Sequence, residues 1–182
     1  MTNLKKTVLI ATSGFAVLTV LFIALTLITN NSVCLTLAIT FGTTLYHFAM
    51  RLLIGKIVPN NFNYKHFWFR QKRFEEKFYK FLGVKRWKDK MPSYNPRSYM
   101  TKFNSLNELI ATMCRNEVIH EVIAVLSFVP IAFSSLFGAE IVFIITSIFG
   151  CLFDLIFVIM QRYNRPRVVR LMQRQNRHNA GK

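Results

Sequence analysis

The chain has 182 residues, 52% of them hydrophobic and 14% aromatic, with 24 Lys and Arg against 8 Asp and Glu for a net charge of +16. Its apolar residues come in blocks long enough to cross about 30 Å of hydrocarbon, not at the intervals of a soluble helix or strand, which argues against an ordinary water-soluble domain. The basic residues flank those blocks, so anionic lipid headgroups are a more economical partner for the charge than nucleic acid.

The first block, residues 7–29, is longer than a usual signal-peptide core, and no small-x-small cleavage pattern follows it; a retained signal-anchor helix is expected. A second span is predicted over 33–55. His47 and Arg51 lie four residues apart on one face of it, with Arg51 near its end and His47 about one turn deeper. Arg51 alone is open to a simple snorkelling role.

A basic belt follows over 56–117. Pro59, Asn60 and Asn61 mark a turn. Residues 66–82 read as an amphipathic interfacial helix, with Phe67, Phe74, Phe78, Phe81 and Leu82 at near-helical spacing and Arg70, Lys72, Arg73, Lys77 and Lys80 between them. Gly83 is placed to end it. Trp68 and Trp87 suit the same boundary. Residues 84–91 are short and charged, Pro92 stops them, and 93–104 read as irregular with a turn at Asn95-Pro96. Ser105 and Glu108 form a capping box, so a helix should start near Leu106 and run into the third span, 118–137, which Pro130 should kink.

The third span opens with Glu117, His120 and Glu121. The fourth, 141–160, holds Asp154 and exits through Gln161-Arg162-Tyr163-Asn164-Arg165-Pro166-Arg167. A polar tail over 173–182 is expected to fray. The links 30–32 and 138–140 carry no Lys or Arg, whereas fourteen lie between Lys56 and Arg115. By the positive-inside rule, the belt and both termini are cytoplasmic. The expected fold is all-α: a four-helix transmembrane bundle with a cytosolic interfacial amphipathic helix. It forms one membrane domain over 1–182 with a basic cytosolic tail over 161–182, in the cell membrane.

Ionisable groups within membrane helices are costly and usually mark function. Three helices bring His47, Arg51, Glu117, His120, Glu121 and Asp154 toward the cytoplasmic third. A histidine near a carboxylate can take a proton from a hydroxyl, and an arginine can bind a donor's phosphates or a developing oxyanion. Glu117 and His120 also match a di-iron ligand spacing, but no second motif accompanies them. Cys34, Cys114 and Cys151 show no metal-ligand spacing either, which argues against a metal. A buried ion pair between Arg51 and one glutamate, merely locking two helices, is the structural alternative. Asp154 is placed to neutralise Arg51 or orient a histidine. Without a nucleophile elbow or a Gly-rich phosphate loop, direct transfer fits better than a covalent enzyme intermediate.

The runs Phe67-Trp68-Phe69-Arg70, Leu82-Gly83-Val84-Lys85-Arg86-Trp87-Lys88-Asp89-Lys90-Met91-Pro92, Cys114-Arg115-Asn116-Glu117-Val118-Ile119-His120-Glu121 and 161–167 resemble the glycosyl-4,4'-diaponeurosporenoate acyltransferase family. The resemblance implies a small bacterial integral membrane enzyme that esterifies a sugar hydroxyl with a fatty acyl group, the last step of staphyloxanthin-type carotenoid synthesis. The residue roles are physical assignments. His120 is the expected general base, with Glu117 or Glu121 orienting it and His47 the competing base. Arg51, Arg162 and Arg165 would bind anionic donor groups, with Lys85, Arg86, Lys88 and Lys90 extending that surface. Asp154, Tyr163, Asn164 and Trp87 complete the expected substrate-binding set. No bound cofactor is expected; acyl-CoA or acyl carrier protein would be co-substrate, and a lipid-linked hydroxyl the acceptor. The competing classes are a small membrane methyltransferase or reductase, and a non-catalytic scaffold or lipid-binding subunit.

Overall fold

Among the described residues, four helical segments are long and apolar enough to cross a membrane: Lys6–Thr29, Ser32–Ile57, Leu106–Phe137 and Glu140–Ala180. A computed structural model describes residues 3–91 and 105–181, and the ordered elements among them are all helical. The irregular stretch expected over 93–104, with its Asn95-Pro96 turn, lies outside the described residues.

The first hairpin joins α1 (Asn3–Thr29) to α2 (Ser32–Ile57) through Asn30 at φ 49°. Phe41 stacks on Phe15 and Phe22, and Phe48 packs against Phe15 with its ring tilted by 44°, the ring centroids lying 5.4–6.3 Å apart. The threonines within the hairpin are quiet. Thr12, Thr19 and Thr26 in α1, and Thr36, Thr40, Thr43 and Thr44 in α2, each donate to the carbonyl four residues back at 2.7–3.0 Å. A hydroxyl in hydrocarbon needs a partner, and the helix's own backbone supplies it.

The capping box opens α5 (Leu106–Leu126). The Ser105 amide donates to Glu108 Oε2 at 2.8 Å, and the Glu108 amide to Ser105 Oγ at 3.2 Å. Pro130 does more than kink the span: α5 stops at Leu126, and a 3₁₀ turn over Val129–Phe133 leads into the single turn α6 (Ser134–Phe137). Pro130 has no N–H for the Leu126 carbonyl, and the Tyr46 phenol donates to it at 2.9 Å.

The belt departs from the expected helix over 66–82. It forms a 3₁₀ turn at Phe67–Phe69, extended backbone at Arg70, and only then the short helix α3 (Glu75–Phe81). The physical reason is long-range. Phe69 turns into a core with Ile110, Cys114 and Met172, and arginine side chains take the carbonyls of residues 68–70. Gly83, in the left-handed region at φ 60°, ends α3 as expected and starts α4 (Val84–Trp87), which a 3₁₀ turn at Lys88–Lys90 follows.

The last helix, α7, runs unbroken over Glu140–Ala180, so the tail expected to fray is helical to Ala180. Its Gln and Arg residues are good helix formers, and Pro166 is accommodated inside it. By packing, the chain divides into two compact units, Met1–Ile57 with Glu121–Leu155, and Val58–His120 with Ile156–Lys182.

Candidate active site

The six ionisable groups fall in two sets, one in each unit. In the first unit, Arg51 Nη2 donates to Asp154 Oδ2 at 2.5 Å, so the partner of Arg51 is the aspartate of α7 and not a glutamate. Arg51 Nη1 also donates to the His47 carbonyl one turn back at 2.8 Å, and its guanidinium lies 5.0 Å from the Phe153 ring centroid. His47 is 6% exposed, and Asp154 is fully buried.

Gly150 is what lets His47 pack there. A Cβ on Gly150 would sit 2.8 Å from both Cε1 and Nδ1 of the imidazole and 3.2 Å from Ser127 Oγ. Neither ring nitrogen of His47 has a hydrogen-bond partner among the described residues, and neither do Arg51 Nε and Ser147 Oγ. An unsatisfied buried polar group costs about 1–3 kcal/mol, so four such atoms in one unit call for an explanation.

In the second unit every charge of the network is paired. Glu117, on α5, is fully buried and accepts from Arg162 Nη1 at 2.7 Å and from Arg165 Nη1. Glu75, at the start of α3, accepts from Arg162 Nη2 at 2.6 Å and Nε at 3.0 Å, and from the Tyr79 phenol at 3.0 Å. Arg162 also donates to the Trp68 and Arg70 carbonyls, and Arg165 to that of Phe69 at 2.6 Å. The Arg165 guanidinium lies 5.0 Å from the Phe69 ring centroid. Two carboxylates thus neutralise two guanidiniums that clamp the backbone of residues 68–70. Burial, and then the Glu75 carboxylate beside it, push the Tyr79 phenol above its usual value.

The other expected site residues have definite neighbours. His120 is half-buried, its ring lying nearly parallel to Phe157, with centroids 4.7 Å apart and planes 12° apart. Glu121 belongs to the first unit and is half-buried. Tyr163 meets Tyr79 edge-on at 5.7 Å and carries the Arg167 guanidinium on its face. Asn164 is half-buried. Trp87 Nε1 donates to the Leu82 carbonyl at 3.1 Å, closing the end of α3. Lys85 and Arg86 are exposed.

Sequence reasoning missed three residues. Glu75 stands beside Glu76 as an acidic break in a basic belt, which was its available signal. Gly150 is a glycine inside an apolar helix, a recognised mark of close approach. Ser147 gave no signal among the other small polar residues of the spans.

A family model described as glycosyl-4,4'-diaponeurosporenoate acyltransferase matches residues 65–174. The matched stretch contains the whole clamp, His120 and Asp154, and begins after His47 and Arg51. No curated protein and no solved structure matches the chain.

Proposed function

From the premise that the chain belongs to the glycosyl-4,4'-diaponeurosporenoate acyltransferase family, we propose that it moves a fatty acyl group from a thioester to a hydroxyl of a lipid-linked acceptor, with His120 as general base. The family is one of acyltransferases in carotenoid biosynthesis, and the protein is an acyltransferase. The donor is acyl-CoA or acyl carrier protein, presented on the cytoplasmic side, where the basic belt and both termini lie. The acceptor is a glycosylated carotenoid or a lipid of similar form.

The observation that carries the choice of base is access. His120 is half-buried and held flat against Phe157, so its ring plane is fixed while part of the residue stays open. His47 is sealed, with both ring nitrogens buried. In the proposed step, His120 removes the proton from the acceptor hydroxyl as its oxygen attacks the thioester carbonyl carbon. The tetrahedral intermediate collapses, the C–S bond breaks, and the imidazolium returns the proton to the leaving thiolate. The products are an ester and a free thiol. Glu117 acts through the clamp, holding Arg162 and Arg165 and hence the backbone at residues 68–70. With those guanidiniums committed, the exposed Lys85, Arg86 and Lys90 offer cations to the donor's phosphates.

The test compares the unsubstituted chain with His120→Ala and His47→Ala at matched folded yield, using labelled acyl-CoA and extracted lipid. A general base contributes about 10²–10⁴-fold, so His120→Ala should lose at least a hundredfold in turnover. Turnover by His120→Ala within about threefold of the unsubstituted chain would overturn the assignment. Loss on His47→Ala alone would move the base to His47.

A further inference from the structure

The short helix α3 has three chemically distinct sides. At about 100° per residue, Glu75 and Tyr79 share one of them. Both are buried, with Glu75 accepting from Arg162 and from the Tyr79 phenol. Phe74, Phe78 and Phe81 fall within about 60° of one another on a second side. Phe74 keeps the helical register, since its carbonyl accepts from the Phe78 amide at 3.1 Å. The three rings are 66%, 43% and 86% exposed, so the described residues leave them largely open. Lys77 and Lys80 form the third side, next to the phenylalanines, and both are exposed. Glu76 lies beyond them and pairs with Lys80 at 3.3 Å. Lys72 and Arg73, just before the helix, are exposed as well, and the Lys72 ammonium stands 6.0 Å from the Phe67 ring centroid.

From this arrangement we infer that α3 is a binding surface for anionic phospholipid, its phenylalanines at the boundary of acyl chains and headgroups and its Lys77–Lys80 edge on the phosphates. The occupant has to be apolar where the rings are and negative one row away. A second copy of the chain fails on charge, because strip against strip sets Lys77 and Lys80 beside their like. A zwitterionic leaflet meets the rings but gives the lysines no net attraction. An anionic leaflet meets both rows, and it draws each basic residue held within a Debye length of it. Chain continuity puts such a surface within reach: the second unit begins at Val58, directly after α2 ends at Ile57. The clamp fixes the rotation of α3. Arg162 holds Glu75 through Nε at 3.0 Å and Nη2 at 2.6 Å, which turns the rings outward about a third of a turn away. The surface is narrower than an amphipathic helix over 66–82 would give, because Phe69 is held in the core. The inference stands apart from the acyl-transfer reading.

The test puts the photocrosslinker p-benzoylphenylalanine singly in place of Phe74, Phe78, Phe81 or Glu76. All four positions are exposed. The full chain is held in nanodiscs of phosphatidylcholine with a minor share of phosphatidylglycerol, and mass spectrometry identifies each adduct after irradiation. The three phenylalanine positions should yield phospholipid adducts, and the Glu76 position at least about fivefold fewer. Phosphatidylglycerol should be enriched in those adducts by about threefold over its share of the bilayer. Lys77→Gln with Lys80→Gln should bring that enrichment back to the bulk share while adducts persist. Salt at about 1 M, where the Debye length is ~3 Å, should do the same. Arg174→Gln with Arg177→Gln removes as much charge from exposed positions of α7 and should leave the enrichment unchanged. Adducts to a second copy of the chain, equal adducts at the Glu76 and Phe81 positions, or a phosphatidylglycerol share equal to the bulk in the unsubstituted lysine background would each overturn the surface. Loss of enrichment on the α7 pair as large as on the lysine pair would overturn it too, by assigning the effect to net charge.

Discussion

Gly150→Ala should change sign with its background. The new Cβ would lie 2.8 Å from two atoms of the His47 ring, so the imidazole must retreat by about 0.7–1.2 Å to reach ordinary carbon contact. Overpacking of this kind costs about 1–3 kcal/mol. Replacing a mid-helix glycine by alanine returns roughly 0.8–1.0 kcal/mol. The single substitution should therefore destabilise by about 0–2 kcal/mol. In a His47→Ala background the ring is gone, the Ser127 Oγ contact at 3.2 Å is the remaining squeeze, and Gly150→Ala should stabilise by up to about 1 kcal/mol. A double-mutant cycle of reversible unfolding in detergent micelles measures the difference directly. Destabilisation of equal size in both backgrounds would show that His47 does not rest against Gly150.

Three further outcomes follow from the clamp and the proline break. Glu117→Gln leaves the buried Arg165 short of its counter-charge and should cost about 3–5 kcal/mol in unfolding free energy, whereas Glu117→Met combined with Arg165→Met should recover much of it. Tyr46→Phe strips the Leu126 carbonyl of its phenol donor and should cost about 0.6–2 kcal/mol; in a Pro130→Ala background, where an N–H can return, the loss should shrink. The Tyr79 phenol is raised in the folded protein, so its contribution is complete below its unfolded value near 10 and fades as pH climbs through the folded one. An ultraviolet tyrosinate titration should show late-ionising phenol, and Tyr79→Phe should reduce the amplitude of that late phase by one tyrosine.

The spans, the Ser105–Glu108 box, the Gly83 stop and a distortion at Pro130, though only as a kink and not as the full break, were legible because each is a local signal, carried by block length, a three-residue spacing or a missing N–H. The belt was not. Its aromatic spacing suits a helix over 66–82, but Arg162 and Arg165 take the carbonyls of residues 68–70 across more than ninety positions, and periodicity carries no such information. The same distance hid the partner of Glu75. Arg162 and Arg165 read as binding groups because a sequence shows charges without showing which are already spent. Arg51 and Asp154 were legible as intramembrane charges and as one option among several pairings; the choice of Asp154 over a glutamate needed coordinates.

The Tyr46–Leu126 hydrogen bond also bears on the order of assembly. Synthesis runs from the N-terminus, so the phenol is made eighty residues before the carbonyl it serves. A chain inserting helix by helix would already hold that donor in the bilayer when the proline-broken segment arrives. Deleting or delaying the first hairpin would strand a bare carbonyl in lipid, making α1 and α2 a resident chaperone for the helix that follows.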